Sequence, residues 1–135
     1  MKKTVVVIEE ENCVRKVIEA YLKGTGVKPI APDADVVLFD NGNDGLAYLA
    51  AHKADLVIAD YAMPGMFGTE VAQFLRTDER YALNRNVPLV LLTGLSAQDI
   101  PPEKMEHITH YLEKGNIRPA LEELAGFYLL PATTR

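Results

Sequence analysis

Six polar residues able to hold a cation beside a phosphate stand at equivalent places along this chain. Glu9, Glu10 and Glu11 follow the apolar run Val5 to Ile8, Asp60 follows Leu56 to Ala59, Thr93 ends Val87 to Leu92, and Lys114 closes Ile108 to Leu112. Carboxylates gathered in one place repel each other unless a cation is bound, and an all-oxygen donor set favours a hard ion such as Mg2+ or Mn2+. A hydroxyl and an ammonium beside that ion complete the needs of a phosphoryl group. Thr93 can donate to one phosphoryl oxygen, and Lys114 can neutralise another. Asp60 is then the attacking carboxylate, forming an acyl phosphate by in-line displacement.

This chemistry requires that residues far apart in sequence converge, and the elements around them provide a reason. The four runs, with a further one at Val36 to Phe39, are strand-length and rich in β-branched residues. Most lack in-and-out alternation, which suits strands covered on both faces of a parallel sheet. Between them, Val14, Val17, Ile18, Tyr21 and Leu22 keep helical spacing up to a stop at Gly24. Leu46, Leu49 and Ala50 follow a cap at Asn43 or Asp44, and Val71, Phe74 and Leu75 follow a cap at Thr69. Leu121, Leu124 and Ala125 follow Asn116, with Pro119 tolerable in a first turn.

Strand and helix alternate about five times, which predicts a doubly wound α/β sheet. In such a sheet the C-terminal ends of the strands share one edge, where ligands bind. Thr25 to Asp35, with Pro29 and Pro32, reads as a long loop. Ser96 to Glu106 is where a fourth helix is due, but Pro101 and Pro102 require it to be short, shifted or begun at the prolines. One domain is expected over residues 1–126, with 127–135 as a tail and no separate effector domain.

Composition narrows the function. The chain has 135 residues, 48% hydrophobic and 24% charged, enough for a single folded core without staples. Its net charge of −5 and its scattered lysines and arginines argue against direct nucleic-acid binding. A single cysteine, Cys13, excludes an internal disulfide. With no membrane-length apolar run and no cleavage-site pattern, a cytoplasmic protein is expected. His52, His107 and His110 lack ligand spacing and read as structural or exposed.

At this point the residues resemble the response-regulator receiver family of two-component signalling. The stretch Leu56-Val57-Ile58-Ala59-Asp60-Tyr61-Ala62-Met63-Pro64-Gly65-Met66-Phe67-Gly68 is similar to that family's apolar strand, phospho-acceptor aspartate, Met-Pro turn and closing glycine. Val5 to Glu10, with Arg15 beyond, resembles its strand-acid-acid-helix opening. Leu91-Leu92-Thr93-Gly94 and Tyr111-Leu112-Glu113-Lys114 resemble its last two strand ends. The resemblance implies a flavodoxin-like, five-stranded parallel sheet in the order 2-1-3-4-5. It implies Glu9, Glu10, Asp60 and the backbone carbonyl of Ala62 as metal ligands, Thr93 and Tyr111 as switch residues, and Lys114 as the phosphate-binding lysine. It further implies a phosphorelay signalling domain rather than an enzyme, fed by a histidine kinase or histidine phosphotransfer protein and answering through a downstream protein target.

Several positions depart from the family pattern. Both acids of the pair are glutamates, each one methylene, about 1.5 Å, longer than aspartate. Phe67 stands where aspartate is usual, Gly115 where proline is usual, and the double proline alters a surface often used for output. These departures motivate an alternative, a receiver-like interaction module that works without phosphorylation. A metal-dependent phosphohydrolase would want a second acid shortly after Asp60, and Tyr61 and Ala62 do not provide one.

Overall fold

The apolar runs lie in a parallel sheet because helices cover both of its faces. The computed structural model describes residues 2–94 and 99–131. The chain runs β1 (Thr4–Ile8), α1 (Asn12–Lys23), β2 (Asp35–Phe39), α2 (Gly42–Ala51), β3 (Leu56–Asp60), β4 (Ala62–Met63), β5 (Met66–Phe67), α3 (Gly68–Thr77), β6 (Leu89–Thr93), β7 (His110–Glu113) and α4 (Ile117–Tyr128). Short 3-10 turns occupy Glu79–Asn84, Pro102–Met105 and Lys114–Asn116. Five strands form one sheet, ordered β2-β1-β3-β6-β7, with every pair parallel. β4 and β5 form a separate antiparallel hairpin. With the hairpin set aside, the order is the expected flavodoxin-like 2-1-3-4-5.

Successive strand residues point to opposite faces, and the core divides accordingly. Val5, Val7, Leu56, Ile58, Val90 and Leu92 pack under α1 and α4 through Ile18, Leu22, Leu121 and Leu124. Val6, Ile8, Val57, Ala59 and Leu89 pack under α2 and α3 through Leu46, Leu49, Val71 and Leu75. Each buried Leu, Ile or Val contributes roughly 1.5–3 kcal/mol of transfer free energy, so both layers keep solvent off the sheet.

Gly24 ends α1 in the left-handed conformation, at φ 90°, as its position predicts. The starts of α2 and α3 shift. The cap of α2 is Asn41 rather than Asn43 or Asp44, its side chain accepting from the Asp44 N–H at 2.8 Å. Gly42 then lies inside the first turn, where a Cβ would press on the Met66 sulfur. α3 begins at Gly68 with Phe67 in the cap position, and Thr69, the expected cap, is buried in the first turn. There the Glu70 carboxylate accepts from the Phe67 N–H at 2.9 Å and does the capping. Asn116 does precede α4, with Pro119 in its first turn, though its side chain makes no cap bond.

Of the Ser96 to Glu106 stretch, residues 96–98 lie outside the described residues. Beyond them, Pro102–Met105 forms a 3-10 turn with Pro102 at its first position, so the prolines open a short helix. α4 continues past Gly126 to Tyr128, and Leu129 is 5% exposed, so the boundary expected at 126 falls inside a helix. Residues 132–135 of the expected tail are outside the described residues.

The 3-10 turn Glu79–Asn84, which no sequence pattern announced, supplies a buried polar staple. Asn84 Oδ1 accepts from the Ala54 N–H at 2.9 Å, and its amide nitrogen donates to the carbonyls of Leu49 at 2.7 Å and His52 at 2.9 Å. These are groups at the end of α2 and the start of the β3 approach, left without helical partners. Asn84→Ala is expected to lower stability by about 2 kcal/mol, since it orphans buried backbone groups. Urea unfolding of the variant checks this, and an unchanged midpoint would contradict it.

Candidate functional site

Strand register brings the polar residues to one edge. Ile8 pairs with Ala59, so Glu9 comes level with Asp60. Asp60 pairs with Leu92, so Thr93 stands one residue beyond it on the neighbouring strand. Thr93 pairs with Glu113, and Lys114 follows at the end of β7. Arg15 from α1 fixes the loop after β1, donating to the carbonyl oxygens of Glu9 at 2.8 Å and Glu10 at 3.3 Å.

Lys114 sits at the centre. Its Nζ lies 2.8 Å from Glu11 Oε1, 3.1 Å from Glu9 Oε1 and 3.3 Å from Asp60 Oδ1. The Glu11 contact is a hydrogen bond. The Glu9 contact is an ion pair without hydrogen-bond geometry, and Glu9 Oε1 is buried with no donor among the described residues. Glu9 Oε2 accepts from the Glu11 N–H at 2.9 Å. Glu9 and Asp60 are 0% and 3% exposed, so two carboxylates and an ammonium share a site that water hardly enters.

The electrostatics follow from that burial. The Asp60 carboxyl is pushed up from 3.8 to about 7, first by burial and then by its contact with Glu9, against the pull of Lys114. Burial works against the Lys114 ammonium, yet its contacts with Glu11, Glu9 and Asp60 outweigh it and hold the pKa above the ordinary lysine value. Thr93 is buried beside them, 3% exposed. Tyr111 is half-buried on β7, and its hydroxyl is buried without a partner among the described residues. Burial, then the charges of Glu113 and Asp99, raise its pKa.

Four of the expected residues, Glu9, Asp60, Thr93 and Lys114, therefore gather at this edge. Glu10 does not join the carboxylates: it is exposed, and the acid that meets Lys114 beside Glu9 and Asp60 is Glu11. The reason is local. Glu9 still belongs to the extended β1 line, its N–H bonded to the Phe39 carbonyl at 3.0 Å, whereas Glu11 is the N-cap residue of α1 at the sheet edge. Three acids stand in a row, and the family pattern singles out only the first two.

Ala62 opens the β4–β5 hairpin opposite Phe67, and Gly65 turns the hairpin at φ 80°. A Cβ on Gly68 would collide with the Asp60 carbonyl oxygen, so this glycine is what lets α3 start against the acid-bearing strand. Phe67 stacks on Tyr61 with ring centroids 5.3 Å apart, and the Lys104 ammonium lies 5.6 Å from the Phe67 ring centre. His52 stacks on Tyr48 and His110 bonds the Tyr128 hydroxyl, so neither serves this edge.

The donors suit a hard divalent ion. They are all oxygens, and Glu9 Oε1 is a buried carboxyl oxygen with no hydrogen-bond donor among the described residues. Mg2+ keeps several waters and is commonly held by one or two carboxylates, so Glu9 and Asp60 suffice in kind. Among the described residues no group of three or more His, Cys, Asp or Glu side chains is arranged to hold a metal.

Comparison with known proteins identifies the family and the fold. The family model for the response regulator receiver domain matches residues 5–125. The chain is 29% identical over 102 residues to the cyclic di-GMP phosphodiesterase response regulator RpfG of Xanthomonas campestris, covering 76% of this chain and 25% of that protein. It is 27% identical to the phosphate regulon transcriptional regulatory protein PhoB of Pseudomonas aeruginosa, covering 72% of this chain and 38% of that one. The chain thus spans well under half the length of these relatives.

Among solved structures, the chemotaxis response regulator CheY4 of Vibrio cholerae superposes with a TM-score of 0.75 at 19% identity, over 94% of this chain and 98% of that one. The receiver domain of sensor histidine kinase PA1611 of Pseudomonas aeruginosa, which has magnesium in its active-site cleft, gives 0.75 at 21% identity, over 95% and 98%. Those likenesses establish the fold, and the family match over residues 5–125 establishes the kinship: this chain belongs to the response regulator receiver domain family.

Proposed function

We propose that this receiver domain accepts a phosphoryl group on Asp60 and passes the change on through protein contacts. The observation that carries the reading is the meeting of Asp60, Glu9 and Lys114 at the buried sheet edge, with Thr93 on the next strand. The donor is a phosphohistidine on a histidine kinase or histidine phosphotransfer protein. An Asp60 carboxylate oxygen bonds to phosphorus as the bond to the donor imidazole breaks, and the imidazole leaves with the electron pair. Lys114 neutralises one phosphoryl oxygen and the Thr93 hydroxyl donates to another. Glu9, Asp60 and the Ala62 carbonyl would hold a Mg2+ or Mn2+ ion, which would supply positive charge that favours the ionised Asp60.

The product carries about −1.5 to −2 charge where a single carboxylate stood. Drawing Thr93 and Lys114 toward it biases the ends of β6 and β7, and we assign the response to Tyr111, whose hydroxyl has no partner among the described residues. We assign the unit to the cytoplasm, where its phosphoryl donors work, and among the described residues no helix is long and apolar enough to cross a membrane.

Incubation with acetyl phosphate and Mg2+, read by intact mass under acidic quench, is expected to add one phosphoryl group to the wild type and none to Asp60→Asn. Absence of an Asp60-dependent gain would turn the assignment to a phosphorylation-independent interaction module. Metal removal by a chelator is expected to abolish the gain without unfolding the chain, which circular dichroism checks.

A further inference from the structure

We propose that Glu11 is a latch on Lys114, a positioning residue that must release the ammonium before a phosphoryl oxygen can take its place. The inference rests on the reading of Asp60 as phospho-acceptor and names the residue that regulates it. An ammonium has three N–H donors, and three carboxylates surround this one, at 2.8 Å for Glu11, 3.1 Å for Glu9 and 3.3 Å for Asp60. Glu11 takes a hydrogen bond from it, while Glu9 and Asp60 hold it by charge at slightly longer range. An arriving phosphoryl oxygen must therefore compete with these three carboxylates for the ammonium.

The surroundings decide which of them yields. Asp60 is the reacting group, and its side chain is 4% exposed. Glu9 is wholly buried and tethered through Oε2 to the Glu11 N–H, so moving it breaks a buried charge-assisted bond. Glu11 makes the shortest contact, yet its side chain is 53% exposed and has water waiting for it. It is therefore the partner whose release costs least. Its backbone N–H, which holds Glu9, stays in place when the side chain leaves, so the latch can open without disturbing the buried pair. Before phosphorylation the contact keeps Lys114 occupied and slows modification. Afterwards a free Glu11 competes for Lys114 and favours return to the resting state.

The test compares beryllofluoride binding in excess Mg2+, followed by NMR, for the wild type, Glu11→Gln, Glu11→Asp, Lys114→Met and Glu11→Gln/Lys114→Met. Glu11→Asp keeps the charge and draws the carboxylate back by about 1.5 Å. Both Glu11 variants are expected to bind about fivefold more tightly than wild type, the scale of a partly exposed ion pair. Against the Lys114→Met background the Glu11→Gln gain is expected to vanish. A gain in Glu11→Gln alone, with Glu11→Asp like wild type, would reduce the effect to general charge repulsion and overturn the latch. So would equal affinity in all Lys114-containing forms, or a gain that persists without Lys114. Binding by the Glu11 variants but not by wild type supports a latch that closes fully. Failure of every form to bind overturns the phospho-acceptor reading as well, which separates the two failures. Should Lys114→Met fail to fold, the Glu11→Asp comparison decides by itself.

Discussion

Asp60→Asn is expected to stabilise the chelator-treated protein by up to about 4 kcal/mol near pH 8 and to change it little near pH 4. The reason is that the folded chain pays for an ionised Asp60. Burial and the neighbouring Glu9 push its pKa from 3.8 to about 7, and Lys114 offsets only part of this. Between those values the folded state still holds a proton that the unfolded chain has released. Wild-type stability therefore falls as pH rises from about 4 to about 7 and levels off above. Roughly three units at about 1.4 kcal/mol each give the size of the effect. Asparagine is a neutral stand-in for the protonated carboxyl, so the variant loses that slope. Urea unfolding of both proteins across this pH range reads the difference directly. Parallel curves would mean that Asp60 titrates like an exposed carboxylate.

The same cost gives the site its responsiveness. A carboxylate that is hard to ionise in the resting fold gains from any positive charge brought to it, so binding at the edge and folding stability are linked. It also explains why Lys114 is drawn in so closely. Without a divalent ion, the lysine is the cation on which these buried carboxylates converge, and three acids share it.

Much of this could be read from residue order because a parallel sheet converts sequence position into place. The runs ending at Ile8, Ala59, Leu92 and Leu112 put Glu9, Asp60, Thr93 and Lys114 on one edge, whatever lies between them. Register added what periodicity lacked, namely that Glu9 comes level with Asp60. The helix starts were less legible. Asn41 and Phe67 became cap positions because Gly42 and Gly68 pack tightly against Met66 and the Asp60 carbonyl, and glycine before an apolar run looks like loop. Glu10 and Glu11 could not be told apart by type. Their roles depend on where the chain leaves the β1 line and turns into α1, a geometric detail that two identical side chains do not encode. The Asn84 staple was invisible for a similar reason, since its partners at Leu49, His52 and Ala54 are backbone groups.

Removing the central cation is expected to have the second large effect. Lys114→Met keeps the aliphatic stem and deletes the charge, leaving Glu9 and Asp60 at the edge without compensation. Breaking a buried ion pair in this way costs about 3–4 kcal/mol. The loss is limited because one carboxyl can take up a proton instead. Lys114 lowers the Asp60 pKa, so with the ammonium gone it rises further and the folded variant holds its proton to higher pH. The sign is thus fixed: the penalty is greatest near pH 8 and shrinks as pH falls toward the ordinary carboxylate range, where both forms are protonated. Adding Asp60→Asn removes one of the two opposed charges and gives Glu9 Oε1 an amide donor beside it. In that background Lys114→Met is expected to cost only about 1 kcal/mol, because the remaining loss is one partly compensated carboxylate. Unfolding of the two single variants, the double variant and the wild type at one alkaline pH yields the coupling. Additive losses would show that Lys114 stabilises the edge independently of Asp60, and the shared ammonium would then not be what holds the resting site together.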